Sequence, residues 1–203
     1  MPSPATLTVH GVLMEICGLG VLIRGPSGIG KGELALELIS RGHRLIADDA
    51  PQISVSTSNS LSGNCPPLLR NLLEVRGLGV LNVAALFGEQ AVASNTPLQL
   101  IVTLETIAES EISERDITGS MHTTRRLLDV DIPEIRLALR GRSRHPASRD
   151  ISRTLRYRSS LYVTGRPTAL LVETLVKNFK LQQQGYFAHA DLSKRQRRVM
   201  DSS

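Results

Sequence analysis

The sequence predicts an α/β domain with a mixed central sheet flanked by helices. Three observations carry that expectation: a β-rich run that ends in a glycine-rich turn, a helical repeat that starts directly after the turn, and a second short apolar run that closes on paired carboxylates. The length of 203 residues suits one domain spanning 1–203 and leaves little room for a second. Hydrophobic residues at 41% and charged residues at 21% match ordinary globular usage and exclude a disordered or fibrous chain.

The elements follow in order. Val12 to Ile16 and Gly20 to Arg24 are β-rich runs separated by Cys17-Gly18-Leu19, which predicts a hairpin or bent strand pair. From Lys31 onward, Leu34, Leu38 and Ile39 recur at helical spacing, and Gly42 stands where a left-handed stop belongs. His43 to Ala47 then reads as a buried strand that presents Asp48 and Asp49 at its C-terminal edge, as a parallel neighbour of the first strand. Ser56 to Pro67 is rich in Ser, Asn, Gly and Pro and reads as loop. Leu68 to Glu74 leads into an Arg76-Gly77-Leu78-Gly79 turn, and Leu98 to Glu105 is a further strand. Glu109 to Thr124 is polar without a clear period and reads mostly as loop. Thr168 to Gln184 places Leu171, Val172, Leu175, Val176 and Phe179 on one helical stripe that stops at Gly185.

Charge and composition narrow the function classes. The formal net charge is +5, from 24 Lys and Arg against 19 Asp and Glu. Between Arg136 and Arg166 lie nine arginines and one acid, Asp150, so the excess is local. This stretch reads as a basic insertion at about 141–160 with a solvated surface, and no nucleic-acid partner is expected of it. Aromatics at 3% with no Trp also argue against a base-stacking platform. No apolar run approaches the roughly 20 residues of a spanning helix, so no membrane association is expected. Cys17 and Cys65 are far apart in a chain without a leader-like start, which predicts reduced thiols and a cytoplasmic protein. His43, His122, His145 and His189 show no metal-ligand spacing.

Gly25-Pro26-Ser27-Gly28-Ile29-Gly30-Lys31-Gly32 matches the G-x-x-x-x-G-K part of a phosphate-binding P-loop between a strand and a helix. Glycines let successive N–H groups turn inward to phosphate oxygens, the helix N-terminus adds partial positive charge, and Lys31 reaches the outer phosphates. Gly32 stands where a Ser or Thr hydroxyl usually meets Mg²⁺, so metal orientation should suffer more than phosphate binding, and Gly32→Ser is the expected restoration. In the Asp48-Asp49 pair, one carboxylate can support a metal and the other can accept a proton from an incoming hydroxyl, or one of them merely closes a turn.

Taken together, these segments resemble the catalytic domain of HPr kinase/phosphorylase, a bacterial family that phosphorylates a serine of the phosphocarrier HPr and removes that phosphate. The resemblance runs from His10-Gly11-Val12-Leu13 through the glycine loop and Arg41-Gly42-His43-Arg44-Leu45-Ile46-Ala47-Asp48-Asp49 to Leu73-Glu74-Val75-Arg76-Gly77-Leu78-Gly79-Val80-Leu81-Asn82-Val83. It resumes in Gly165-Arg166 and the helix with Val172-Glu173 and Asn178-Phe179. It implies a P-loop-containing, kinase-like fold that uses ATP and Mg²⁺ on HPr or a related protein, with phosphorolysis by inorganic phosphate as the reverse reaction. It also implies a homo-oligomer, typically a hexamer.

By resemblance, His10 and Lys31 are catalytic, Asp49 takes the proton from the serine, Glu74 is a Mg²⁺ ligand, and Arg115 is the catalytic arginine. Arg166 ends the best match to the reverse-reaction segment, with Arg140-Gly141-Arg142 as a second match. The chain departs from the family at Gly32, where Ser is usual, at Pro26, where Asp is common, and in the basic insertion. The family's separate N-terminal domain has no counterpart before His10. A nucleotide-binding regulatory protein weakened by Gly32 is the competing reading.

Overall fold

A two-residue turn sets the register of the central sheet. A computed structural model of the chain describes residues 6–56, 59–107, 122–140 and 168–201. After the short edge strand β1 (Thr6–Thr8), β2 (Val12–Ile16) and β3 (Leu19–Arg24) are joined only by Cys17 and Gly18. These two residues have φ of 52° and 79°, the paired positive values that a type I′ turn requires. The expected hairpin therefore forms, with Ile16 opposite Leu19 and Val12 opposite Ile23.

β3 hands over through the glycine loop to α1 (Lys31–Ser40). Gly42, at φ 91°, donates its N–H to the Ile39 carbonyl at 2.9 Å and ends the helix as its position predicts. β4 (Arg44–Ala47) corrects one expectation. It pairs antiparallel with β2 instead of standing as a parallel neighbour to β3. The reason lies in edge occupancy: the tight hairpin fills one edge of β3 with β2, and β9 fills the other, so β4 takes the free edge of β2.

The remaining strands are β5 (Gln52–Val55), β6 (Leu61–Asn64), β7 (Leu72–Val75), β8 (Gly79–Asn82), β9 (Asn95–Ile107), β10 (His122–Leu127) and β11 (Val130–Arg140). Helices α2 (Val83–Phe87), α3 (Thr168–Gln183) and α4 (Ala188–Asp201) and two 3₁₀ turns, Pro67–Leu69 and Glu89–Ala91, complete the described elements. Nine strands form one mixed sheet in the order β1-β5-β6-β9-β3-β2-β4, with β11 and then β10 attached to β9, while β7 and β8 pair separately. β9 is the hub. Its first three residues pair with β6, Leu98–Thr103 run parallel to β3, and Ile101–Ile107 run parallel to β11.

Two stretches read as loop contain strands. Leu61–Asn64 is β6, whose Gly63 lies over Leu13 so closely that a Cβ there would come within 2.4 Å of Leu13 Cδ2. The polar segment His122–Leu127 is β10, held against β11 by a turn with Leu128 and Asp129 at φ 47° and 61°. The rest of the polar stretch and the whole basic insertion at about 141–160 lie outside the described residues.

Alternate residues of the central strands feed two cores. Met14, Ile16, Val21, Ile23, Leu100 and Val102 pack with α1 and α3 on one face. Leu13, Leu22 and Ile101 pack on the other with Ile53, Leu61 and Ile132. Strands buried on both faces explain the continuous apolar runs.

A buried charge fastens α3 to α1. Glu173 receives Arg41 Nε at 2.7 Å and Nη2 at 2.6 Å, and its Oε1 meets His43 Nε2 at 2.8 Å. His43 Nδ1 accepts the Cys17 N–H, which turns the Nε2 proton toward Glu173. The Arg41 hydrogen bonds outweigh burial and, with His43, hold the Glu173 carboxyl down at about 2. A carboxylate lowered in the folded state contributes stability above its unfolded value near 4.5 and loses it as pH falls toward about 2. Glu173→Gln is therefore expected to cost about 3 kcal/mol at pH 7. In chemical denaturation the difference from wild type should shrink between pH 4.5 and pH 2; a gap that stays constant with pH would contradict this ion-pair account.

Candidate active site

The glycine loop leaves β3 at Arg24 and is shaped by backbone that only glycine adopts freely. Gly25, Gly28 and Gly30 have φ of 151°, 78° and 103°. A Cβ on Gly25 would come within 2.7 Å of the Leu104 carbonyl oxygen, so the loop passes β9 at contact distance. Gly30 is the N-cap of α1, and no side chain caps the helix. The first N–H groups of α1 thus keep no side-chain acceptor, and the helix dipole adds to their pull on an anion. Lys31 Nζ folds back over the loop and donates to the carbonyls of Gly25 at 3.0 Å and Pro26 at 3.2 Å. Pro26, Ser27 and Gly28 are exposed, while Ile29 packs toward the core. Pro26 contributes no N–H to the cradle.

At the end of β4 the two adjacent carboxylates part company. The Ala50 N–H donates to the Asp48 carbonyl at 2.8 Å around Asp49, whose φ is 65°. This is a γ-turn with positive central φ, the rarer and strained form. It sends the two side chains to different surroundings. Asp48 Oδ2 accepts the Glu74 N–H at 2.8 Å. Burial pushes the Asp48 carboxyl above the usual range, against the opposing pull of backbone N–H groups from Glu74 and Asp49. Asp49 faces solvent, and its Oδ1 lies 2.8 Å from His10 Nδ1. Asp48 is thus held against β7, while Asp49 is open to solvent beside His10.

Glu74 joins the site through its backbone as well as its side chain. Its N–H is held by Asp48, and its carbonyl oxygen would lie 2.1 Å from a Cβ added to Gly32. The expectation that Gly32→Ser restores a lost hydroxyl meets a steric correction: the strand β7 occupies the space a side chain needs. The Glu74 side chain is exposed, close enough to Asp48 for its charge to raise that carboxyl further.

Among the described residues, no group of three or more His, Cys, Asp and Glu is placed to hold a metal ion by itself. Asp49 and Glu74 nevertheless supply two exposed carboxylates at the phosphate-loop end of the sheet. That donor set fits Mg²⁺, which is commonly held by one or two carboxylates together with substrate phosphates.

The structure brings His10, Lys31, Asp49, Glu74 and the loop of Gly25, Pro26, Ser27, Gly28, Ile29, Gly30 and Gly32 to one end of the sheet. Arg115 and Arg166 lie outside the described residues. Sequence reasoning passed over Arg24, Thr103 and Arg125, which line a cavity of about 200 Å³ with His10 and Gly25. The signal available was an arginine directly before the first loop glycine; Arg125 could be placed only once β10 was known to be a strand.

Comparison with known proteins agrees with this geometry. The family model of the HPr Serine kinase C-terminal domain matches residues 4–148. The HPr kinase/phosphorylase of Brevibacillus brevis is 38% identical over 191 residues, covering 94% of this chain and 53% of that protein. The HPr kinase/phosphorylase of Xylella fastidiosa is 53% identical over 131 residues, covering 64% of this chain and 42% of that protein. The chain spans about half the length of the curated relatives it matches. The solved structure of the Hpr(Ser) kinase/phosphatase from Coxiella burnetii superposes with a TM-score of 0.70 at 30% identity, covering 92% of this chain and 98% of that one. A glycine loop between β3 and α1, an acidic pair closing β4, and matches that extend over most of the residues converge on one assignment: the chain belongs to the HPr kinase/phosphorylase family, through that family's C-terminal domain.

Proposed function

We propose that the chain is an ATP- and Mg²⁺-dependent protein serine kinase that phosphorylates HPr or a related protein and reverses the reaction by phosphorolysis. The observation that carries the reading is the exposed Asp49 carboxylate, oriented by His10 at 2.8 Å, at the same sheet end as the phosphate loop. The names of the relatives support the substrate and both directions.

In the forward direction the loop N–H groups and Lys31 hold the polyphosphate. Asp49 accepts the proton of the acceptor serine hydroxyl as its oxygen bonds to the γ-phosphorus and the bond to ADP breaks. His10 fixes the direction of the Asp49 carboxylate. In reverse, an oxygen of inorganic phosphate bonds to the phosphoserine phosphorus as the bond from that phosphorus to the serine oxygen breaks; the serine oxygen takes a proton from Asp49, and pyrophosphate is the product. Glu74, beside the Asp49 edge, would hold Mg²⁺, which would supply charge neutralisation at the transferring phosphates. The resemblance adds Arg115 to the forward reaction and Arg166 to the reverse one, and supports a cytoplasmic homo-oligomer, hexameric as in the family. No described helix is long and apolar enough to cross a membrane.

A second reading has its own observation. Gly32 offers no hydroxyl to a metal and β7 fills the space beside it, which favours a nucleotide-binding regulator with little turnover. Transfer of labelled γ-phosphate from ATP to purified HPr in Mg²⁺ separates the two. Labelling that Lys31→Ala lowers at least 100-fold supports the kinase. Nucleotide binding that depends on Lys31 without any labelling of HPr supports the regulator. Asp49→Asn keeps a residue type that tolerates positive φ, so it should fold like wild type while transfer falls about 10²- to 10⁴-fold. An Asp49→Asn enzyme with unchanged rate would place the base elsewhere.

A further inference from the structure

The cavity of about 200 Å³ beside the loop has a charge balance that the reaction above does not use. Its walls are His10, Arg24, Gly25, Thr103 and Arg125. Arg125 is neutralised from behind: Glu134 is buried, takes Nε and Nη2 of Arg125 at 3.0 Å each, and also accepts the Thr103 hydroxyl. His10 is paired with Asp49. Arg24 has no ion pair or side-chain hydrogen bond among the described residues. The cavity therefore holds one uncompensated guanidinium and a second one fixed in place by a buried carboxylate.

Its position adds a second argument. Arg24 ends β3 and lies opposite Thr103 in the parallel register of β3 and β9. The cavity thus opens at the carboxyl end of β3, against the side of β9 and β10, and the carboxyl ends of parallel strands are where open α/β sheets receive ligands. Gly25 is at once a wall of the cavity and the first residue of the phosphate loop. The volume is below the roughly 300–1,000 Å³ typical of drug-sized ligands, which selects a small anion over a second nucleotide. A second cavity among the described residues, of about 250 Å³ beside Gly42 and Phe87, has His43 as its one titratable lining group, and His43 is already engaged with Glu173.

We infer that Arg24, together with Arg125 held by Glu134, forms an oxyanion subsite of the phosphate class on the His10-Asp49 side of the loop. Guanidinium groups present paired donors that match such oxygens. This assignment rests on the phosphoryl-transfer reading for its purpose, since the anion received there is either free phosphate or the phosphate ester of an acceptor. Its binding chemistry stands on the cavity alone.

The test titrates inorganic phosphate and, separately, a phosphoserine peptide into the full chain by calorimetry. Lys31→Ala serves as the background in which the loop is weakened, with Arg24→Gln and Arg24→Lys added to it, each first shown by thermal unfolding to be folded. Phosphate-class binding should persist in Lys31→Ala, fall about tenfold or more with Arg24→Gln, and recover only in part with Arg24→Lys, which keeps the charge and loses the paired donors. Tighter binding of inorganic phosphate identifies the free ion as the occupant, and tighter binding of the peptide identifies the ester; either result supports the subsite. Equal affinity in Arg24→Gln and its background overturns it. A failure of the kinase reading shows separately, as the absence of labelled phosphate on HPr in the transfer assay.

Discussion

The backbone of one residue in β7, Glu74, holds the phosphate end of this molecule together. The Glu74 N–H is taken by the Asp48 carboxylate at the end of β4, and the Glu74 carbonyl lies against the bare Cα of Gly32 in the first turn of α1. A strand whose Glu74 is 26 residues on from Asp48 is thereby drawn against both β4 and α1. A hydrogen bond to a charged acceptor contributes about 1.5–3 kcal/mol, and the contact at Gly32 exists only because no side chain intervenes. Glycine inside a helix costs about 1 kcal/mol relative to alanine. Here that cost is offset by the approach of the strand that carries Glu74.

The acidic pair shows how backbone strain sorts identical side chains. Asp48 and Asp49 are chemically equivalent in sequence, but the γ-turn around Asp49 turns them apart. Asp48 is spent on the Glu74 N–H and on burial, while Asp49 meets His10 in the open. A positive φ outside glycine costs on the order of 1–3 kcal/mol, and the fixed ends of β4 and β5 on either side maintain it. Arg24 and Arg125 extend the same logic to the next wall of the site, where a buried Glu134 steadies one cation and leaves the other free of partners among the described residues.

Local signals were legible in the sequence. The glycine loop, the Cys17-Gly18 hairpin, the stop at Gly42 and the stripe of α3 each depend on residues within a turn or two of one another. Pairing was not legible where it is decided elsewhere. The antiparallel place of β4 follows from both edges of β3 being taken. β6 and β10 are strands in spite of polar, loop-like composition, because β9 and β11 offer them partners. Gly32 read as a missing hydroxyl, since only the folded chain shows the Glu74 carbonyl against it. The separate fates of Asp48 and Asp49 depend on one φ angle, which no side-chain pattern encodes.

The clamp on Glu74 is tested most directly by the thermal unfolding of Gly32→Ala. In an unobstructed helix this change raises stability by about 0.4–1 kcal/mol. Against a carbonyl oxygen that would lie 2.1 Å away, the added methyl must displace β7, so the account predicts a lower Tm, with a loss of about 1–3 kcal/mol. A Tm equal to or above that of the wild type would show that β7 does not bear on α1 at this point, and would contradict the account.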